Sequence, residues 1–404
     1  MTLRHFLRVT GANRLPALSV FTGAGGLDLG LEAAGFEILA CIEIDRIARA
    51  TVAQNRPGWR FIGPGDAAAI APTLRPETFG LQRGGLALLA GGPPCQPFSK
   101  AALWAPNGAK GLSDPRSTTV ATFLQLLEAF LPQTMIIENV PEFARGRMST
   151  LPVIEAALRR INSLYRTRYR LDSRIINAVD YGVPQRRVRA ILVATRDGNA
   201  FRWPKPTHAD APVRAWDAIG SVRPTIARCA TGRWADLLPS IPEGENYLWH
   251  TARGGGTPLF GYRTRYWSFL LKLAKDEPAW TIPAQPGPST GPFHWDNRPL
   301  SKEELLLLQT FSAEWHVEGS YRQQVQQIGN ATPPLLGEIF GRAIGAQVFR
   351  VPYPHTMRFV IGRAPLVPAP NRLLPLPRRF SKKERTVPNP HPGIGKGPGA
   401  RGSP

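Results

Sequence analysis

The first two hundred residues predict a doubly wound α/β fold, and three short apolar runs carry the prediction. Residues 17–21, 86–90 and 134–137 have the length of buried strands, and each empties into a loop with unusual chemistry. Thr22-Gly23-Ala24-Gly25-Gly26 follows the first, Gly91-Gly92-Pro93-Pro94-Cys95-Gln96-Pro97-Phe98-Ser99 the second, and Glu138-Asn139-Val140-Pro141 the third. Open α/β sheets bind ligands outside the carboxyl ends of their strands, so all three loops are expected around one crevice.

The first strand leads through its glycine-rich turn into a helix marked by Leu27, Leu31 and Ala34 and closed by Gly35. The glycines let backbone approach a ligand closely, although a plain tight turn has the same composition. The second strand, 36–42, ends at Glu43. A carboxylate at that place accepts hydrogen bonds from ribose hydroxyls, which makes a nucleoside cofactor the better reading. Asp66, after Gly65, is either an acceptor for an adenine amino group or an exposed loop carboxylate.

Cys95 stands on a loop stiffened by Pro93, Pro94 and Pro97. Free cysteine is commonly a small buried hydrophobe. These prolines fit no strand or helix interior, however, and a thiol at a sheet's carboxyl edge is placed like a nucleophile. The polar segment 100–115 is long enough for a mobile lid, and a helix is expected over 117–130. Glu138 should point into the same crevice, because solvation poorly explains a carboxylate between four apolar residues and Pro141. A helix over 151–164 runs into the most basic stretch, 159–189. Arg187 and Arg189 there share one face of an extended segment before a strand at 190–195. They form either a solvated basic edge or a row of guanidinium groups lining an anion-binding cleft.

Composition shifts near residue 200. Residues 201–297 are rich in Pro and Gly and hold seven of the ten tryptophans, which predicts a second, loop-rich domain with short strands. Its one clear helix is expected at 267–271, and most of its indole rings should form a compact core. Arg253-Gly254-Gly255-Gly256 and Arg263-Thr264-Arg265 are candidates for surface contacts with nucleic acid. Ser301 and Glu304 form a capping-box pattern, and Gln327-Ile328-Gly329-Asn330 opens onto a last helix at 335–349. From Val351 onward, ten Lys/Arg, one acidic residue and twelve prolines predict a disordered tail.

The formal net charge of +21 points to an acidic partner, nucleic acid before a membrane surface. No stretch reaches the ~20 apolar residues of a membrane span, and no signal peptide is expected at the amino terminus. Cys41, Cys95 and Cys229 lie far apart, which argues against a disulfide framework or metal cluster and fits a reducing cytoplasm.

Taken together, the motifs resemble those of the DNA cytosine-5 methyltransferases of the bacterial modification type. The matching segments are Phe21 through Gly26, Pro93-Pro94-Cys95-Gln96, Glu138-Asn139-Val140, Gln185 through Arg189, Arg298 through Phe311, and Gln327 through Asn330. They keep the family's order over 17–196 and 298–349. Ala102 departs from a usual Gly, and Glu303 and Leu307 from a usual Arg.

The resemblance implies a Rossmann-like, S-adenosylmethionine-dependent methyltransferase domain at 17–199, resumed at 297–350. A small target-recognition domain is inserted at 200–296, with an extension at 1–16 and the tail at 351–404. By residue match, Phe21, Gly23, Gly25, Glu43, Asp66 and Asn330 hold S-adenosylmethionine, and no metal is needed. Cys95 attacks carbon 6 of a cytosine flipped out of double-stranded DNA. Glu138 donates to ring nitrogen 3, Arg189 contacts the base oxygen, and Arg187 orders the carboxylate. A companion restriction endonuclease, a bacterial cytoplasmic location and a monomer are further implications. Two rivals stand beside this reading: a tRNA cytosine-5 methyltransferase of the same fold, and a catalytically silent DNA-binding protein.

Overall fold

Six strands form the central sheet: β1 (Leu15–Val20), β2 (Phe36–Ile42), β3 (Leu88–Gly91), β4 (Thr134–Asn139), β5 (Arg170–Asn177) and β7 (Val188–Thr195). A two-residue ladder, β6 (Gln185–Arg186) with β8 (Ala279–Trp280), lies beside it. The structure is a computed structural model that describes residues 15–94, 118–146, 149–226, 228–262 and 266–381. Cys95, the expected lid at 100–115 and Arg263-Thr264-Arg265 lie outside the described residues.

The strand order is β2-β1-β3-β4-β7-β5. The first four strands run parallel, and β7 is antiparallel to β4, with Glu138 opposite Ile191 and Asn139 opposite Ala190. That reversal decides where the site lies. The carboxyl ends of β1 to β4 and the amino end of β7 meet at one edge, which brings Arg187 and Arg189 beside Glu138.

Side chains alternate between two buried clusters, as strands covered on both faces require. Leu88 and Ala90 of β3 join one cluster and Leu89 the other; Ile191 and Val193 of β7 oppose Leu192 and Ala194. The helices of the first half are α1 (Gly26–Ala33), α2 (Arg46–Asn55), the single turn α3 (Ala67–Ile70), α4 (Thr118–Phe130) and α5 (Leu151–Tyr165). Phe123, Leu127 and Ile154 of α4 and α5 cover one face. The other is covered by α1 and by helices from the far end of the chain, namely α7 (Lys302–Leu308), α8 (Tyr321–Asn330) and α9 (Pro334–Val348). A short helix, α6 (Ala215–Ile219), precedes these three.

The returning segment is locked in by backbone contact between α1 and α9. A Cβ on Gly30 would lie 2.3 Å from the Pro334 carbonyl oxygen and the Glu338 nitrogen, and one on Gly337 would lie 2.5 Å from the Leu27 oxygen. No larger side chain fits at either crossing residue. The expected capping box is also present: Ser301 N–H donates to Glu304 at 2.7 Å, and Glu304 N–H donates to Ser301 Oγ at 3.2 Å.

Several expectations need correction. Residues 267–271 form no helix. Leu270 has φ 53, its N–H donates to the Ser289 carbonyl, and Phe269 forms a bridge with Thr290. A five-residue apolar run without caps gains too little to nucleate a helix when aromatic packing competes. Gln327 through Asn330 closes α8 rather than starting the last helix. Residue 200 is not a boundary of the core, because Phe201, Ala215, Ile219, Leu273, Ile282 and Trp295 all join the main cluster. A separate small core holds Trp234, Leu237, Leu238, Ile241, Tyr247, Phe260, Leu270, Phe293 and Phe380.

Phe380 belongs to the stretch expected to be disordered, and residues 351–381 are in fact pinned down. Tyr353 Oη donates to the Ala34 carbonyl at 2.8 Å, and the Arg358 and Phe359 N–H groups donate to buried Glu338 at 2.9 and 3.1 Å. Ala364 N–H donates to Asp217 at 2.9 Å and Asn371 N–H to Glu243 at 2.7 Å. The segment ends with Phe380 stacked on Trp234, ring centroids 5.7 Å apart. Apart from the single helical turn Arg378–Ser381, the proline-rich segment forms no regular element, which leaves its backbone donors free for buried carboxylates.

Candidate active site

A cavity of about 420 Å3 opens at the carboxyl edge of the sheet, within the usual size for a small-molecule site. Its lining runs from Phe21 and Gly23 at one end, through Glu43, to Glu138 and Arg189 at the other, with Asn330 on the rim.

At the first end, β1 stops because Phe21 takes φ 60 and Gly23 φ 56, turning the chain across the strand ends. Gly23 N–H donates to Glu43 Oε2 at 2.7 Å, and Asp45 N–H donates to Oε1 at 2.8 Å. Burial pushes the Glu43 carboxyl above its ordinary range, while the two backbone donors oppose that shift. Gly25, at φ 80, is the residue before α1 and stays outside the lining; a Cβ there would lie 3.2 Å from Val52 and 3.4 Å from Trp59. Asp66 is also outside the lining and caps α3, accepting from Ala68 N–H at 3.0 Å.

At the other end, Arg189 Nε lies 3.0 Å from Glu138 Oε1, with both side chains largely buried. Arg187 is fully buried and does not pair with Glu138. Its Nη1 donates to the Gly329 carbonyl and its Nη2 to the Ala331 carbonyl, each at 3.0 Å, so it grips the backbone on both sides of Asn330. Burial, then the charge of Arg189, brings Arg187 down to about 9. Pro93 and Pro94 also line the cavity.

Two residues escaped the sequence reading. Asn139 Nδ2 donates to the Pro93 carbonyl at 2.8 Å, tying the end of β4 to the loop after β3. A buried polar residue next to Glu138 was the available signal. Asp28 lines the cavity, and its Oδ1 is buried without a partner. Its place in an apolar helix pattern gave no sign of this. Among the described residues no group of three or more His, Cys, Asp or Glu could hold a metal, and no helix is long and apolar enough to cross a membrane.

Residues 15–346 match the family described as C-5 cytosine-specific DNA methylase. The chain is 32% identical over 374 residues to the Type II methyltransferase M.SacI of Streptomyces achromogenes, covering 83% of this chain and 94% of that protein. It is 31% identical over 352 residues to the Type II methyltransferase M.PspPI of Psychrobacter sp. (strain TA137), covering 81% and 78%. Among solved structures, the Entamoeba histolytica methyltransferase EhMeth shares the fold, with a TM-score of 0.55 at 17% identity over 82% of this chain and 98% of that one. With a match that spans the strands, the cavity and the returning helices, the chain belongs to the C-5 cytosine-specific DNA methylase family.

Proposed function

We propose that the enzyme transfers a methyl group from S-adenosylmethionine to carbon 5 of a cytosine flipped out of a specific duplex DNA site. We further propose that it does so as a monomer and as the modification partner of a restriction endonuclease in a bacterial cytoplasm. The observation that carries the chemistry is one cavity with the Glu43 carboxylate, fixed by two backbone donors, at one end and an acid–guanidinium pair, Glu138 and Arg189, at the other.

The residues present fit the cofactor. Glu43, fixed by two backbone donors, is placed for ribose hydroxyls, Phe21 borders the same space, and the unpartnered Asp28 oxygen suits a cationic ligand. When bound, S-adenosylmethionine supplies an electrophilic methyl group. The chain's part is to make carbon 5 of an aromatic ring nucleophilic. Cys95, two residues beyond Pro93, would add as thiolate to carbon 6, breaking aromaticity and leaving carbon 5 enamine-like. Glu138 would deliver a proton to ring nitrogen 3, drawing density from carbon 6, while Arg189 holds the carboxyl and the base oxygen. Asn139 would steady the loop that carries Cys95 through the Pro93 carbonyl. Loss of the carbon 5 proton would then let the thiolate leave. A stacked base cannot reach these groups, so flipping is required.

Transfer of labelled methyl to duplex DNA and to tRNA tests the reading. Label in DNA alone supports it, and label in tRNA alone assigns the rival polymer. Label in neither, with S-adenosylmethionine still bound, leaves a silent DNA-binding protein.

A further inference from the structure

We infer that Asp28 is a cofactor-site residue whose buried carboxyl receives a positively charged group at the methionyl end of S-adenosylmethionine. This rests on the proposed cofactor and extends it to a residue that no sequence motif singled out.

Asp28 lies in the first turn of α1, immediately beyond the glycine turn, and is 1% exposed. It lines the same cavity as Glu43 and Gly23. The Ser19 hydroxyl and the residue's own backbone N–H favour the charged carboxyl, yet Oδ1 is buried without a hydrogen-bond partner. Leaving such an atom unsatisfied is costly, so it persists where a ligand completes it.

The charges around it identify that ligand. Just after β2 comes the Glu43 carboxyl, and from β2 the buried Cys41 thiol; from α1 itself comes Glu32, already paired with Arg56 at 3.0 Å; the turn after β1 adds the Thr22 hydroxyl beside Ser19. Helix α9, packed on α1, brings Glu338, already paired with Arg342. The cavity's guanidinium groups, Arg187 and Arg189, are engaged at the other end. Among the described residues no ion pair to Asp28 is formed. Two acidic groups with no basic partner, one with an unused oxygen, complement a cation. Burial, with Glu43 and Glu32 adding, pushes Asp28 up to about 7, against a hydrogen bond from Ser19 that lowers it. Arrival of a cation would therefore ionise the group and release its proton. The cofactor's methionyl end carries two candidates, a sulfonium and an ammonium, and only the first loses its charge when the methyl group leaves.

Calorimetry separates the possibilities. Binding is measured at about pH 6.3, where an α-amino group is still protonated, in two buffers of different ionisation enthalpy. Full-length wild type, Asp28→Asn and Glu43→Gln are titrated with S-adenosylmethionine, S-adenosylhomocysteine and methylthioadenosine. The wild type should release a large part of one proton on binding S-adenosylmethionine, with affinity rising as pH passes through about 7. Asp28→Asn should release none and lose about tenfold or more in affinity, since a charge-assisted contact is removed. Glu43→Gln should keep the release. Release with S-adenosylmethionine alone assigns the sulfonium, and release also with S-adenosylhomocysteine assigns the ammonium. Absence of release in the wild type, or equal release in Asp28→Asn, overturns the inference without needing the variant to be stable in the first case. No binding of S-adenosylmethionine in any buffer overturns the cofactor assignment and this inference together.

Discussion

Around the cavity, β1, β2, β3 and β4 end side by side, and the lining includes a residue at or within a few positions of each end: Gly23 after β1, Glu43 after β2, Pro93 after β3, Glu138 in β4. The region from Trp234 to Phe293 is held differently. Its rings pack edge to face, as with Trp234 and Phe260 at 5.0 Å and Tyr247 and Phe269 at 5.4 Å. Buried Lys272 donates to the Leu238 and Ile241 carbonyls, and residues 351–381 tie the region to α9. One region repeats a main-chain pattern that fixes many positions at once; the other is a sum of individual contacts. A fixed site of chemistry needs the first. A region outside the chemistry tolerates the second, because each contact can change without disturbing the sheet.

The largest effect expected on that contrast is at the chemical end. Glu138→Gln and Arg189→Ala should each lower turnover by about 10^2–10^4-fold, the range for a lost proton donor, while DNA affinity changes little. A loss confined to DNA affinity would place both residues on the phosphate backbone and erase the distinction between the regions.

Next comes the strap formed by residues 351–381. A chain ending at residue 350 should lose protection of amides around residues 234–271 in hydrogen exchange, while β1 to β4 keep theirs. One ending at 381 should behave as the full chain. Phe380→Ala, which removes a ring 3% exposed and stacked on Trp234, should cost about 3 kcal/mol of stability in that region. Equal protection in the 350-residue chain would return the segment to the status of a loose tail.

The buried acid gives a signal of similar size, read in the pH dependence of stability. Asp28 holds its proton to about 7 when folded, against 3.8 ordinarily. The folded state then binds more protons between those values, so stability falls as pH rises through that window, by an amount on the order of 4 kcal/mol. Melts across pH should show the decline in wild type and a flatter profile in Asp28→Asn. The smallest effect belongs to residues 382–404, which carry five Lys/Arg and one acidic residue. Removing them should make the slope of log affinity against log salt shallower by roughly three units, with the methylated site unchanged.

Legibility follows the same division. The strand at 36–42 was readable because it is apolar at every position but Glu37 and lies between Gly35 and Glu43, and the Ser301–Glu304 box because its two hydrogen bonds are local. The edge strand β5 was not, since Arg170, Asp172 and Arg174 alternate along an edge that packs on one side only. Helix α8 was missed because only Val325 and Ile328 mark its apolar stripe among six polar neighbours. Glu138 could be placed in the crevice from its strand end, whereas Arg187 and Arg189 were open between a solvated edge and a cleft until the family resemblance was drawn; the partner of Arg187 is a backbone 142 residues away, which no local pattern encodes. The strap was invisible for the same reason: Glu338, Asp217 and Glu243 receive its N–H groups from across the molecule.

The central claim is that the cavity serves a covalent attack by Cys95 on a flipped cytosine, and one measurement bears on it most directly. Duplex DNA with 5-fluorocytosine at the methylated position is incubated with enzyme and S-adenosylmethionine, then denatured and resolved by mass. Fluorine cannot leave as a proton, so the account predicts a denaturation-resistant complex whose cross-linked peptide contains Cys95. Cys95→Ala should give no complex and no methyl transfer while keeping cofactor affinity. Methyl transfer at full rate by Cys95→Ala, or a cross-link to any other residue, would contradict the account.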